Sequence, residues 1–228
     1  MTVTWFGVTL HEFDVAFTDF LLFVETAIFS TLLFREAAPH HPRVRTLAGA
    51  LFALLSTSSL LGVVFHAFFP LKASTAGGHA VWMLTGVSIA LTTSAVWYIN
   101  AVLTRYRKLG RLVESLVPVY FLAFVYALFF VDYTFRTMIA FYAPAVVLLA
   151  IIAVRTYAQS RSREWLYLTL GTGLSFTAAA VQAMKIGVHP VYFNFNALYH
   201  LIQGIALGFL FVAFRLLLRT PGLRAENQ

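Results

Sequence analysis

The stretch TLAGALFALLSTSSLLGVVFHAFF, residues 46–69, decides the fold. It exceeds the ~20 apolar residues that a helix needs to cross about 30 Å of hydrocarbon. Its apolar side chains fill every face of a helix and show no period-two alternation, so the run reads as a membrane helix and not as a barrel strand. One ionisable group, His66, interrupts it three residues before Phe69. Such a group inside a span is unfavourable unless it faces the protein interior, and it marks a site by default.

Six further windows of spanning length lie at residues 13–34, 79–103, 112–131, 138–154, 165–184 and 196–218. Short polar connections join them, no internal repeat is evident, and no window is left for a second domain. The chain therefore predicts one all-α integral membrane domain, residues 1–228, built as a seven-helix bundle. A composition of 60% hydrophobic and 11% charged residues excludes an ordinary soluble domain.

Charge placement predicts the orientation. Arg35, Arg43, Arg45, Arg105, Arg107, Lys108, Arg111, Arg155, Arg161, Arg163, Arg215, Arg219 and Arg224 are thirteen of the sixteen Lys and Arg residues, and all fall at one end of the bundle. Lys72, Arg136 and Lys185 fall at the other. The positive-inside rule then puts the N-terminus outside and the C-terminus in the cytoplasm, in a bacterial inner membrane. The +7 net charge is a topology signal that favours anionic lipid as a partner. Nucleic acid is not expected, because no basic soluble module exists. The first residues lack a basic region and a small-residue cleavage site, so the first window is expected to remain as a span. Cysteine is absent, which removes disulfide, thiolate and iron–sulfur chemistry.

At ~1.5 Å per residue, His66 and His200 lie about 4–6 Å below the same face of the bundle. His79 begins the third window, and Asp19 lies about 9 Å down the first. Ser59 sits near the midplane on the face of His66, and Glu25 lies about 18 Å down. Imidazoles and a carboxylate gathered at one depth suit Zn²⁺, which in catalytic sites takes three protein ligands and a water. The same residues are equally compatible with a buried hydrogen-bond network. A rhodopsin-type pigment is disfavoured because the last window lacks a lysine, and Lys185 lies in a loop. Two axial imidazoles could hold a haem, yet the paired histidines of di-haem membrane cytochromes are missing.

Two segments carry a family resemblance. LGVVFHAF at residues 61–68 and NALYHLIQG at residues 196–204 resemble the second- and seventh-helix motifs of the alkaline ceramidase and progestin/adiponectin-receptor (CREST) superfamily. They also resemble an uncharacterised bacterial seven-helix family. The superfamily resemblance implies seven helices, an intramembrane zinc site and, in several members, hydrolysis of lipid amides. His66 and His200 match ligand positions. This chain departs from the pattern at Gly62, where the family has serine, at Asn196, where it has a first histidine, and at His79, near an expected aspartate.

The function expected is zinc-dependent hydrolysis of a lipid amide or ester near the outer leaflet. His66, His79 and His200 would bind the metal, Asp19 would act as base or fourth ligand, and Ser59 and Asn196 would orient water or substrate. The alternative is a non-catalytic membrane subunit, receptor or transporter with a buried histidine network.

Overall fold

Each apolar window becomes one helix in the computed structural model, which describes residues 1–38 and 40–220. The helices are α1 (Phe13–Arg35), α2 (Pro42–Phe68), α3 (Ala76–Leu103), α4 (Arg107–Phe130), α5 (Phe135–Ser160), α6 (Arg163–Ala183) and α7 (Phe195–Arg219). Six of them are long and apolar enough to cross a membrane, and the chain is an integral membrane protein. The seventh, α6, falls short of the spanning expectation. Thr169, Thr172, Ser175, Thr177 and Gln182 interrupt its apolar run. Arg224, counted above in the basic end, lies outside the described residues.

Local chemistry sets the ends. Pro42 occupies the first turn of α2, where its missing N–H costs nothing. The Thr75 hydroxyl caps α3 by accepting from Gly78 N at 3.1 Å, and the Asn194 carboxamide caps α7 by accepting from Asn196 N and Ala197 N. Ahead of α1, strands β1 (Val3–Trp5) and β2 (Val8–Leu10) pair antiparallel in the register Val3↔Leu10. Phe6 and Gly7 both have positive φ, 47° and 78°, the backbone of a primed hairpin turn. We call this side of the bundle the hairpin end and the opposite side the basic end.

Helices α1, α2, α3, α5, α6 and α7 close a ring in that order, and α4 leans on α3 and α5 from outside. Packing is densest toward the basic end. There Phe29 stacks on Phe211 with centroids 4.2 Å apart, Phe52 meets Phe29 edge-on, and Leu33, Ile99, Leu168, Phe214 and Leu217 are fully buried. Arg215 and Arg219 of α7 both pair with Glu36 just beyond α1, which locks these two parallel helices together. Hydrogen bonds supply the interhelical specificity that apolar contact alone lacks in lipid. Ser30 donates to Gly49 O, Ser56 to Phe23 O, Ser58 to Ser88 Oγ, and buried Asn100 to Ala145 O. The hairpin half carries more polar side chains, and it is there that α1 and α7 part.

Candidate functional site

The register between α1 and α7 is set first by Asp14, whose Oδ2 accepts from Asn194 N at 3.2 Å. One turn deeper on α1, Thr18 and Asp19 meet His200, which lies one and a half turns into α7. The Thr18 Oγ1 is 3.0 Å from His200 Nδ1, and the Asp19 Oδ1 is 3.4 Å from His200 Nε2. The imidazole thus bridges a hydroxyl and a carboxylate, one on each ring nitrogen. All three side chains are buried or nearly so.

Asp19 can occupy this place because of Gly62 on α2. A Cβ at Gly62 would stand 2.6 Å from Asp19 Oδ2 and 2.9 Å from its Cγ. The glycine that departs from the superfamily serine is therefore the floor on which the carboxylate rests.

Thr18 has two more contacts, to Val15 O at 2.9 Å and Asp14 O at 3.1 Å. Two proton arrangements satisfy the geometry. With the Thr18 hydroxyl donating to the backbone, His200 Nδ1–H donates to Thr18 Oγ1, and the bare Nε2 faces Asp19. With the hydroxyl turned to Nδ1, Nε2–H faces the Asp19 carboxylate. The two are tautomers of one neutral ring, and in the second the Nδ1 lone pair meets the hydroxyl proton, as a general base requires.

Thr18 and His200 open on a cleft of about 220 Å³ between α1 and α7, lined also by Leu21, Leu22, Glu25, Leu201, Gly204 and Ile205. Leu21, Leu201 and Ile205 on its rim are about half exposed, at 47%, 49% and 54%. On the outer surface of a bundle in a bilayer, that mouth faces lipid.

The other expected residues lie elsewhere. His66 is one turn from Gly62 toward the hairpin end, and its Nδ1–H donates to Glu12 Oε2 at 2.5 Å. Lys72 pairs with the same carboxylate. His79 meets the Tyr133 ring edge-on with centroids 5.2 Å apart. Asn196 accepts from Gln182 at 3.3 Å, tying α7 to α6, and Ser59 makes no hydrogen bond to either imidazole. Among the described residues no three His, Asp or Glu side chains converge on one point that could hold a metal ion. The set His66, His79, His200 and Asp19 does not fit a three-ligand zinc centre in this arrangement. Equal depth brought His66 and His200 to one layer, but their ring nitrogens turn to different carboxylates.

Two participants escaped sequence reasoning. Thr18 carries no charge, and its hydroxyl bonds back to its own helix as those of Thr26 and Thr31 do, so nothing in the sequence sets it apart. Glu12 precedes the first spanning window, outside the depths compared there. Its backbone is left-handed, with φ 42°, as is that of Lys72, with φ 55°. Non-glycine residues hold such conformations at a cost that the surrounding contacts must offset.

The hydrogen bond from His66, and secondarily the Lys72 ammonium, hold the Glu12 carboxyl down to about 2 against the opposing effect of burial. A carboxyl depressed from 4.5 stabilises the fold above that pH and loses its contribution as pH falls toward 2. Glu12 is 37% exposed, so screening limits the effect to about 1 kcal/mol. Thermal unfolding should weaken through this acidic window, and Glu12→Gln should flatten that part of the profile. A variant with the parental acid profile would show that the pair does not contribute.

Asn194→Ala removes a helix cap while leaving the backbone donor to Asp14, and should cost about 1 kcal/mol. An unchanged melting temperature would show that the cap is redundant.

A family model described as a family of unknown function, DUF6962, matches residues 15–219. The chain belongs to this family. The DUF6962 match spans all seven helices and contains Thr18, Asp19, Glu25, Gly62, His66 and His200, while the hairpin and Glu12 precede it. A glycerol-3-phosphate acyltransferase of Bordetella petrii is 31% identical over 121 residues, covering 51% of each chain. The DUF6962 chain thus spans about half the length of that curated relative. No solved structure matches it significantly.

Proposed function

We propose that this DUF6962 protein transfers or hydrolyses fatty acyl groups of membrane lipids, using Thr18, His200 and Asp19. The observation that carries the reading is the hydroxyl–imidazole–carboxylate relay opening on a lipid-facing cleft. A nucleophile within hydrogen-bond reach of a base, itself oriented by a third group, is the arrangement that covalent acyl transfer needs. The name of the Bordetella petrii relative and the superfamily resemblance of residues 61–68 and 196–204 point to acyl chemistry from two directions.

In this mechanism Thr18 Oγ1 attacks the carbonyl carbon of a lipid ester or amide while His200 Nδ1 takes the hydroxyl proton. Asp19 stabilises the resulting imidazolium through Nε2–H. The tetrahedral adduct collapses to a Thr18 acyl ester, and the departing alcohol or amine leaves with the proton from Nδ1. Water or a second hydroxyl then attacks the acyl ester with the same base. The products are a fatty acid or a new ester, and Thr18 is restored. In this reading the base is His200 and the group that stabilises its charged form is Asp19.

The full-length protein in lipid nanodiscs, treated with a long-chain alkyl fluorophosphonate, should acquire one covalent adduct on Thr18. His200→Ala should not react. An adduct elsewhere, or none on the parent, overturns the nucleophile assignment.

One observation favours the non-catalytic alternative: both ring nitrogens of His200 already have partners. A purely structural network predicts lower melting temperatures for His200→Ala and no acyl product from any lipid.

The charge split further supports an outside N-terminus and a bacterial inner membrane. A C-terminal reporter active only in the cytoplasm should be active, and a silent one with an active periplasmic counterpart would reverse the orientation.

A further inference from the structure

The cleft that starts at Thr18 ends on a second polar group. Glu25 lies seven residues further along α1, two turns on the same face and about 10 Å deeper. Its seat is made by α7: a Cβ at Gly204 would stand 3.0 Å from Glu25 Oε2, and one at Gly208 would stand 3.9 Å from Oε1. The GIALG pattern thus admits a carboxyl where small-residue pairs more often admit another helix.

Glu12, Asp14, Asp19 and Glu36, the other acidic residues of α1 and its flanks, all have polar partners. Among the described residues Glu25 has none. A carboxyl near the midplane with no partner carries a desolvation cost that a ligand in the cleft would relieve. The ligand therefore needs an apolar body to fill the space beside Leu21, Leu22 and Ile205, and one hydrogen-bonding group at the level of Glu25. A cationic amine at this depth would bring a second charge out of water, whereas a hydroxyl brings only a dipole.

We propose that the cleft binds a fatty acyl chain hydroxylated near its middle, with the hydroxyl on Glu25 and the acyl carbonyl at Thr18 and His200. The placement of the carbonyl rests on the acyl-transfer reading; the contact with Glu25 does not. A site built to hydrogen-bond a hydroxyl discriminates against the analogue that lacks it.

The test uses the full-length protein in nanodiscs, dicyclohexylcarbodiimide as a label for Glu25, and methyl 10-hydroxystearate against methyl stearate as protecting ligands. Mass spectrometry of the digested protein reads the label. The hydroxylated ester should protect Glu25 at about fivefold lower concentration, as one net hydrogen bond of roughly 1 kcal/mol requires. Thr18→Val should keep that preference, which separates ligand binding from acyl transfer. In native mass spectrometry Glu25→Gln should retain most of the preference, and Glu25→Leu should bind the two esters equally. Equal protection by both esters, absence of label on Glu25, or stronger protection by octadecylamine than by the hydroxy ester would overturn the proposal.

Discussion

Thr18→Val, in protein reconstituted into nanodiscs, is expected to lower acyl release from its lipid substrate by about 10⁴-fold or more, with the melting temperature little changed. The substitution keeps the shape of the side chain and removes only the hydroxyl, and Thr18 is buried against its own helix. His200→Ala should be as severe, because nucleophile and base act as one unit and either loss removes the pathway. Asp19→Asn should be milder, about 10²–10⁴-fold, since it leaves the base in place but disturbs its tautomer and its stabilisation as imidazolium. The double variant Thr18→Val with His200→Ala should be no worse than either single one. Independent, multiplying losses would show that the two side chains do not share a step. Full activity in Thr18→Val would remove the nucleophile, and full activity in His200→Ala would remove the mechanism.

Gly62→Ala is expected to lower acyl release about 10²-fold. The new carbon would stand 2.6 Å from Asp19 Oδ2, so the carboxylate must move off the α2 surface. His200 Nε2 then loses the partner that orients it, and misplacing a catalytic group by about 1 Å costs on the order of 10²-fold. Gly62→Ser should be at least as harmful, although serine is what the ceramidase-type motif has at this place. Both variants should still be extracted folded, since the clash is with one side chain and not with backbone. Wild-type activity in Gly62→Ser would mean that Asp19 has room to turn away without cost, and that its contact with His200 is incidental.

These two results would separate what the ceramidase-type resemblance implies from what this chain does. His66 and His200 stand where the resemblance expects histidines, but Gly62 stands where it expects serine, and Asp19 of α1 takes the space beside it. The zinc set expected from His66, His79 and His200 depended on the three rings pointing inward together. Instead His66 turns to Glu12 and Lys72, and His79 to Tyr133.

The number of helices and the rough depth of the polar residues were legible in the sequence, while helix ends such as those of α2, α4 and α5 ran several residues beyond their apolar windows. Apolar run length and a fixed rise per residue are local properties, and a bilayer leaves the backbone few other choices. His66, His200 and Asp19 were therefore assigned correctly to the hairpin half, as was the deeper position of Glu25. The relative shortness of apolar character in α6 was also present in its threonines, but a window count passed over it. Which way each side chain faces was decided only by the tertiary structure. That direction depends on which helices adjoin and on how closely glycines such as Gly62 and Gly204 let them approach. One residue along a helix turns the side chain by about 100°. Depth was therefore readable from spacing, while the meeting of Thr18, His200 and Asp19 required α1, α2 and α7 to be packed around them.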